Sequence, residues 1–150
     1  MTDDNSASPP TDRSEFAGSL WGGRFEEGMA PEMVPLNLSL HVDHRLWRED
    51  VRGSKVWARA LKGAGVLSPA EESTIQDGLD AVGERIARDG LTDATEEDIH
   101  SVVERMLGEE VGGVAGKLHT GRSRNDQSAT GVRLFGMAAC DRIESHLLGL

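Results

Sequence analysis

Residues 68–90 read SPAEESTIQDGLDAVGERIARDG, and this stretch decides the fold. Ser68 stands at a cap position, Pro69 follows at the first helical position, and Glu71 falls three residues after Ser68. A serine oxygen accepts the N–H of Glu71 while the glutamate reaches back to the N–H of Ser68, so the helix start is closed from both sides. Ile75, Leu79, Val82 and Ile86 then recur at three- and four-residue spacing. One face is therefore apolar and has to be covered. Gly90 supplies the stop. No alternating strand pattern competes with this reading.

Working outward, the same logic holds on both sides. Upstream, a helix is predicted from about Asp43, as N-cap, to Lys62, with Leu46, Trp47, Val51, Ser54, Trp57, Ala58 and Leu61 on one face and Gly63 and Gly65 as its stop. Downstream, a third helix is predicted to start near Thr95, with Glu96, Glu97 and Asp98 at the positive end of its dipole. Its stripe is Ile99, Val102, Val103, Met106 and Leu107. A Gly-rich passage, GEEVGGVAGKLHTG over residues 108–121, leads to a fourth helix beginning at about Asn125 or Asp126 and continuing to the last residue. There Val132, Phe135, Ala139, Ile143, His146, Leu147 and Leu150 repeat at close to the seven-residue spacing of a bundle seam. Apolar burial contributes about 25 cal/mol per Å², so a seam left in water forgoes a large stabilising term. Either other subunits cover it or the chain is one piece of a longer polypeptide, and the second is the expectation.

A length of 150 residues suits one domain. Residues 1–18, MTDDNSASPPTDRSEFAG, are rich in Asp, Ser, Thr and Pro and are predicted to form a disordered tail, since they carry too little apolar surface to offset the entropy of ordering. No apolar run follows Met1, which argues against a secretory signal, and no uninterrupted apolar run is long enough for a membrane span. With 16 Lys+Arg against 26 Asp+Glu the formal net charge is −10. Such a chain repels phosphate backbones unless its basic residues cluster, and the only cluster, Lys117 to Arg124, is short and Gly-rich. Nucleic-acid binding, including a small helical DNA-binding module, is set aside on this ground. A single cysteine, Cys140, excludes an intramolecular disulfide and is expected as a small buried hydrophobe inside a helix; the cytoplasm fits this usage.

The informative segment is KLHTGRSRNDQ, Lys117 to Gln127. Gly121 permits an unusual turn, Arg122 and Arg124 flank Ser123, and Asn125 and Asp126 open a helix. Helix N-termini favour anions, and arginine binds carboxylates bidentately, so the local chemistry suits a small molecule bearing a carboxylate. A cap with solvated arginines accounts for the same residues equally well. His41, His44, His100 and His119 show no metal-binding pair such as HExxH and read as surface or structural side chains.

HTGRSRND, His119 to Asp126, resembles the first signature of the argininosuccinate lyases within the fumarase/aspartase superfamily. Three further segments match the same family in order: LWGGRF (Leu20 to Phe25), NLSLHVDHRLWREDVRGSK (Asn37 to Lys55) and EEDIH (Glu96 to His100). The resemblance implies an all-α chain: the amino-terminal helical domain of the fumarase/aspartase fold over residues 19–124, then the start of a long central-bundle helix over residues 125–150. It also implies β-elimination of argininosuccinate to arginine and fumarate without metal or organic cofactor, in a homotetramer of the cytoplasm. Substrate contacts carried over from the family fall on Ser39 and Asn125, with Arg124 holding a carboxylate and Thr120 ordering the loop. Asp43 and Asp98 match acidic positions near the site, although helix capping explains both and is the preferred reading. The family's proton-transfer signatures, a Thr-His pair and a mobile Ser-bearing loop, are not found in this sequence. The expectation is an amino-terminal portion with no catalytic residue of its own and negligible turnover alone; a non-catalytic interaction module derived from a lyase is the alternative. The loop from Val111 to Ser123 is expected to be mobile without substrate and neighbouring subunits.

Overall fold

The computed structural model describes residues 30, 32–91 and 94–149. The tail over residues 1–18 and the LWGGRF segment lie outside them. Among the described residues six α-helices follow one another: α1 (Val34–Asn37), α2 (Leu40–Asp43), α3 (Trp47–Gly63), α4 (Pro69–Asp89), α5 (Ile99–Val111) and α6 (Arg124–Leu148). Two 3₁₀ segments, His44–Leu46 and Gly112–His119, complete an all-α fold with no strand among the described residues.

The centre is α4, and it forms as its sequence dictates. Glu71 N donates to Ser68 Oγ at 3.2 Å and Ser68 N donates to Glu71 Oε2 at 2.9 Å, so the expected capping box is present. Ile75, Leu79 and Val82 are fully buried and Ile86 nearly so. They face Val51, Ala58 and Leu61 of α3 on one side and Ile99, Val102, Val103, Met106 and Leu107 of α5 on the other. Gly78 lets α5 approach closely, because a Cβ there would press into Val111 Cγ1 and come within 2.9 Å of Leu107 Cδ1. At the far end Gly90, at φ 74°, turns the chain out of the helix in a conformation that favours glycine.

Before α6, three stretches differ from expectation, the first two for a hydrogen-bonding reason and the third for a packing one. The first predicted helix does not run unbroken from Asp43; it is α2, a 3₁₀ turn and then α3, and Asp43 caps no helix of its own segment. Its carboxylate is used elsewhere, by Ile99 N and by Ser39 Oγ. The third helix starts at Ile99, not near Thr95. Ser39 N and Leu40 N both donate to the Glu97 carbonyl, and Asp98 is extended (φ −145°, ψ 166°), so the chain turns helical only after it. The Gly-rich passage is largely helical: α5 continues to Val111, and residues 112–119 form a 3₁₀ helix whose Ala115 and Leu118 are buried in the core. The segment expected to be mobile is thus anchored by two apolar side chains.

α6 begins at Arg124, one or two residues before the start predicted at Asn125 or Asp126, and ends at Leu148 with Gly149 as C-cap. Its first turns lie against α3, where Gln127 and Gly131 are buried. Beyond them the helix projects away from the core. Val132, Met137, Ile143, Leu147 and Leu148 are all exposed, Leu148 by 83%. Cys140, expected to be buried, sits on this uncovered length and is exposed too. The correction follows from packing: a helix-interior position buries a residue only where another element lies against it.

Candidate functional site

The residues singled out by sequence meet around the start of α5. Ser39 Oγ donates to Asp43 Oδ2 at 2.6 Å and lies 3.3 Å from the Glu97 carbonyl oxygen. Asp43 Oδ1 accepts Ile99 N at 3.0 Å. Asp98, the N-cap of α5, accepts Ser101 N through Oδ1 at 2.7 Å and presents Oδ2 to Arg124 Nε at 3.2 Å. Two carboxylates thus serve the first turn of α5, one local and one from α2. Burial raises the Glu97 carboxyl above the usual carboxylate range, and the neighbouring Asp98 adds to this while Arg124 opposes it.

Arg124 joins this cluster to α6. Its Nη1 donates to Gln127 Oε1 at 3.0 Å, its Nη2 to Ser101 Oγ at 3.2 Å, and Glu104 stands 3.7 Å from Nη2. Nε is close to Asp98 Oδ2 yet makes no well-aligned hydrogen bond, so this contact is an ion pair by distance alone. The guanidinium is therefore partly neutralised by protein carboxylates. Asn125 and Thr120 differ: both are exposed. Asn125 N donates to Ser123 Oγ at 3.2 Å, Ser123 N donates to Asp126 Oδ2 at 3.2 Å, and Thr120 N is held by the Lys117 carbonyl. Part of the N–H set at the start of α6 is thus satisfied internally. Between them Gly121 takes φ 66°. The structure brings together Ser39, Asp43, Asp98 and Arg124 in one connected cluster and leaves Thr120 and Asn125 beside it, facing outward.

Beneath the cluster lies a polar network that the sequence reading missed. Asp50 of α3 is only 2% exposed, and its Oδ1 is 2.8 Å from His100 Nδ1 and 2.7 Å from Gln127 Nε2. His100 Nε2 is 3.1 Å from Ser128 Oγ. The two ring nitrogens of His100 thus bridge the Asp50 carboxylate and the Ser128 hydroxyl, tying α3 and α6 to α5. Arg122 Nη1 donates to Ser54 Oγ at 2.9 Å. Burial lowers the Arg122 pKa, while Asp50 and Asp126 oppose the shift. A signal for this network existed. Asp50 precedes Ser54 and Ala58 at four-residue spacing along the apolar face of α3, and His100 lies within the buried stripe of α5. A charged residue in register with an apolar stripe is buried, and a buried charge needs partners. His41 and His44 are exposed and His119 half-buried, in keeping with surface or structural roles. Among the described residues no group of His, Cys, Asp and Glu could hold a metal ion, and no helix is long and apolar enough to cross a membrane.

Comparison of the sequence with known proteins shows the family to which the chain belongs. A family model described as lyase matches residues 23–150. The chain is 53% identical over 132 residues to the argininosuccinate lyase of Roseiflexus castenholzii, covering 87% of this chain and 29% of that protein. It is 48% identical over 142 residues to the argininosuccinate lyase of Chlamydomonas reinhardtii (94% and 29% covered). With the probable argininosuccinate lyase of Schizosaccharomyces pombe it shares 46% identity over 133 residues (87% and 29% covered). The chain spans less than a third of the length of these relatives.

Proposed function

We propose, from the premise that this chain belongs to the lyase family, that it supplies the substrate-holding part of an argininosuccinate lyase. The reaction is β-elimination: a base removes a proton beside a carboxylate of the succinyl part, and the C–N bond then breaks to give fumarate and arginine. Negative charge develops on that carboxylate as the proton leaves, so fixed donors around it lower the barrier. Asn125 and Thr120 offer such donors at the surface, and Arg124 adds a positive charge beside them. Ser39, Asp43 and Asp98 hold the two helix starts that aim these groups. No metal or organic cofactor enters this scheme.

One observation supports the reading above the rest. Arg124, at the first position of α6, is tied through Asp98 to the first turn of α5 and through it to the segment carrying Ser39 and Asp43. Ser39 and Arg124, two positions that the resemblance marks and that lie far apart in sequence, are thus linked through one cluster, and this supports reading them together. Positioning is what we assign to these residues. Proton transfer is not assigned to any residue described here. The alternative, a lyase-derived module that binds other subunits without turnover, draws on the exposed apolar residues of α6. The first reading takes residues 125–150 as the start of a bundle helix of a longer polypeptide that assembles as a cytoplasmic homotetramer; the second takes them as a seam that binds intact lyase subunits.

The test uses the outward-facing side chains, whose loss leaves the core intact. Argininosuccinate binding to the chain, followed by calorimetry, should weaken about tenfold in Asn125→Ala, the loss of about 1.4 kcal/mol. Unchanged binding in both Asn125→Ala and Thr120→Ala would count against the assignment.

A further inference from the structure

The network under the cluster leaves one atom unexplained. Asp50 Oδ1 has two close partners, but Oδ2 is buried and has no hydrogen-bond partner. A buried carboxylate oxygen left in this state is unfavourable, because it has given up its hydration without gaining a donor. Asp50 also lines a small cavity of about 20 Å³, together with Ser54, Glu104, His119, Arg122 and Gln127. A space of about 10–15 Å³ holds one water when two to four polar partners surround it. These walls supply two carboxylates, a guanidinium, a hydroxyl, an amide and an imidazole.

We propose that this cavity is a binding site for a single internal water bridging Asp50 to Arg122, and that Asp50 is thereby a positioning residue for the Gly121–Gln127 segment. Asp50 acts along two routes. One is direct: Gln127 Nε2 donates to Asp50 Oδ1, and the same side chain accepts Arg124 Nη1 through Oε1. The other runs through the water to Arg122, whose guanidinium is also fixed on Ser54. Both arginines flanking Ser123 are then set from one carboxylate on α3. Asp50 touches no substrate in this scheme. The functional part of the inference rests on reading residues 119–126 as the substrate segment; the structural part does not.

Asp50→Asn removes the charge and puts a donor toward Arg122 with little change of shape. In amide spectra of the full 150-residue chain, this variant should displace the signals of Gly121 to Gln127 while those of Ile75 and Leu79 in α4 stay in place. The response of those signals to added fumarate should need about tenfold more ligand. A folded variant with unmoved Gly121–Gln127 signals, or with an unchanged fumarate response, would overturn the role of Asp50. If the unmutated chain does not respond to fumarate, the substrate reading fails, and the ligand-free signals still decide whether Asp50 sets the segment. The unmutated chain tests the water independently of any folding defect. Magnetisation transfer from a long-lived water to the side-chain amide of Gln127 is expected, and its absence would remove the bridging route.

Discussion

The carboxylate of Asp43 accepts the backbone N–H of Ile99 at 3.0 Å, across 56 positions of sequence. A helix start is usually capped by the residue just before it, and Asp98 does this for α5 through Ser101 N. The second carboxylate comes from α2, so the start of α5 depends on a distant segment. Replacing Asp43 with alanine removes that acceptor and also the partner of Ser39 Oγ. A loss of about 1–2 kcal/mol is expected, read by urea denaturation. Asp43→Asn retains an acceptor and should recover most of it.

Asp98 serves α5 and Arg124 together, so its two roles separate by substitution. Asp98→Asn keeps a cap oxygen but withdraws the charge from Arg124, whereas Asp98→Ala removes both. In a double-mutant cycle with Arg124→Gln, a coupling of about 0.5–3 kcal/mol is expected, since the two side chains are in contact and largely shielded from solvent. Additive losses would show that the pair does not join α5 to α6.

Glu71 links the start of α4 to the second 3₁₀ segment. The hydrogen bond from Lys117, supported by Ser68, lowers its pKa from 4.5 to about 2. A carboxylate depressed on folding adds stability that is present above its unfolded pKa and is lost as pH falls through the folded value. The contribution of Glu71 should therefore disappear between about pH 4.5 and pH 2. The stability difference between the unmodified chain and Glu71→Gln, followed against pH, should shrink across that window and be flat above it. Both groups are at the surface, so high salt should weaken the effect.

Gly78 tests the close approach of α4 and α5. Alanine is the better helix former by about 1 kcal/mol, so an open position would be stabilised. Here the new Cβ meets Val111 and Leu107, and overpacking of about 1–3 kcal/mol opposes the gain. A lower melting temperature is expected for Gly78→Ala, and a higher one would show that α5 yields readily. Leu79→Ala, on the same helix at a fully buried position, should cost about 2–5 kcal/mol.

Much of this architecture was legible in the residues themselves. Ser68, Pro69 and Glu71 announce α4, and its stripe from Ile75 to Ile86 is the core. The stripes of α3 and α5 read equally well, because three-residue and four-residue spacing of apolar side chains has one structural meaning. What stayed hidden depends on contacts between distant segments. Asp43 looks like a local cap until Ile99 is seen beside it, and Thr95 looks like a helix start until Ser39 and Leu40 claim the Glu97 carbonyl. The glycines of residues 108–121 suggested a loose loop, and only Ala115 and Leu118 in the core reveal its anchorage. Cys140 was misread because burial on α6 depends on what covers it. Among the site residues, Ser39 was marked by the resemblance alone, Arg124 and Asn125 also by their place at a helix start, and Asp50 was detectable as a charge within an apolar stripe.

Titration of the isotope-labelled chain with argininosuccinate tests the central claim most directly. The substrate-holding account predicts saturable displacement of the amide signals of Thr120, Arg124 and Asn125, with smaller changes at Ser39 and none in the α4 core. Signals that remain fixed across the signature segment at saturating ligand would contradict it.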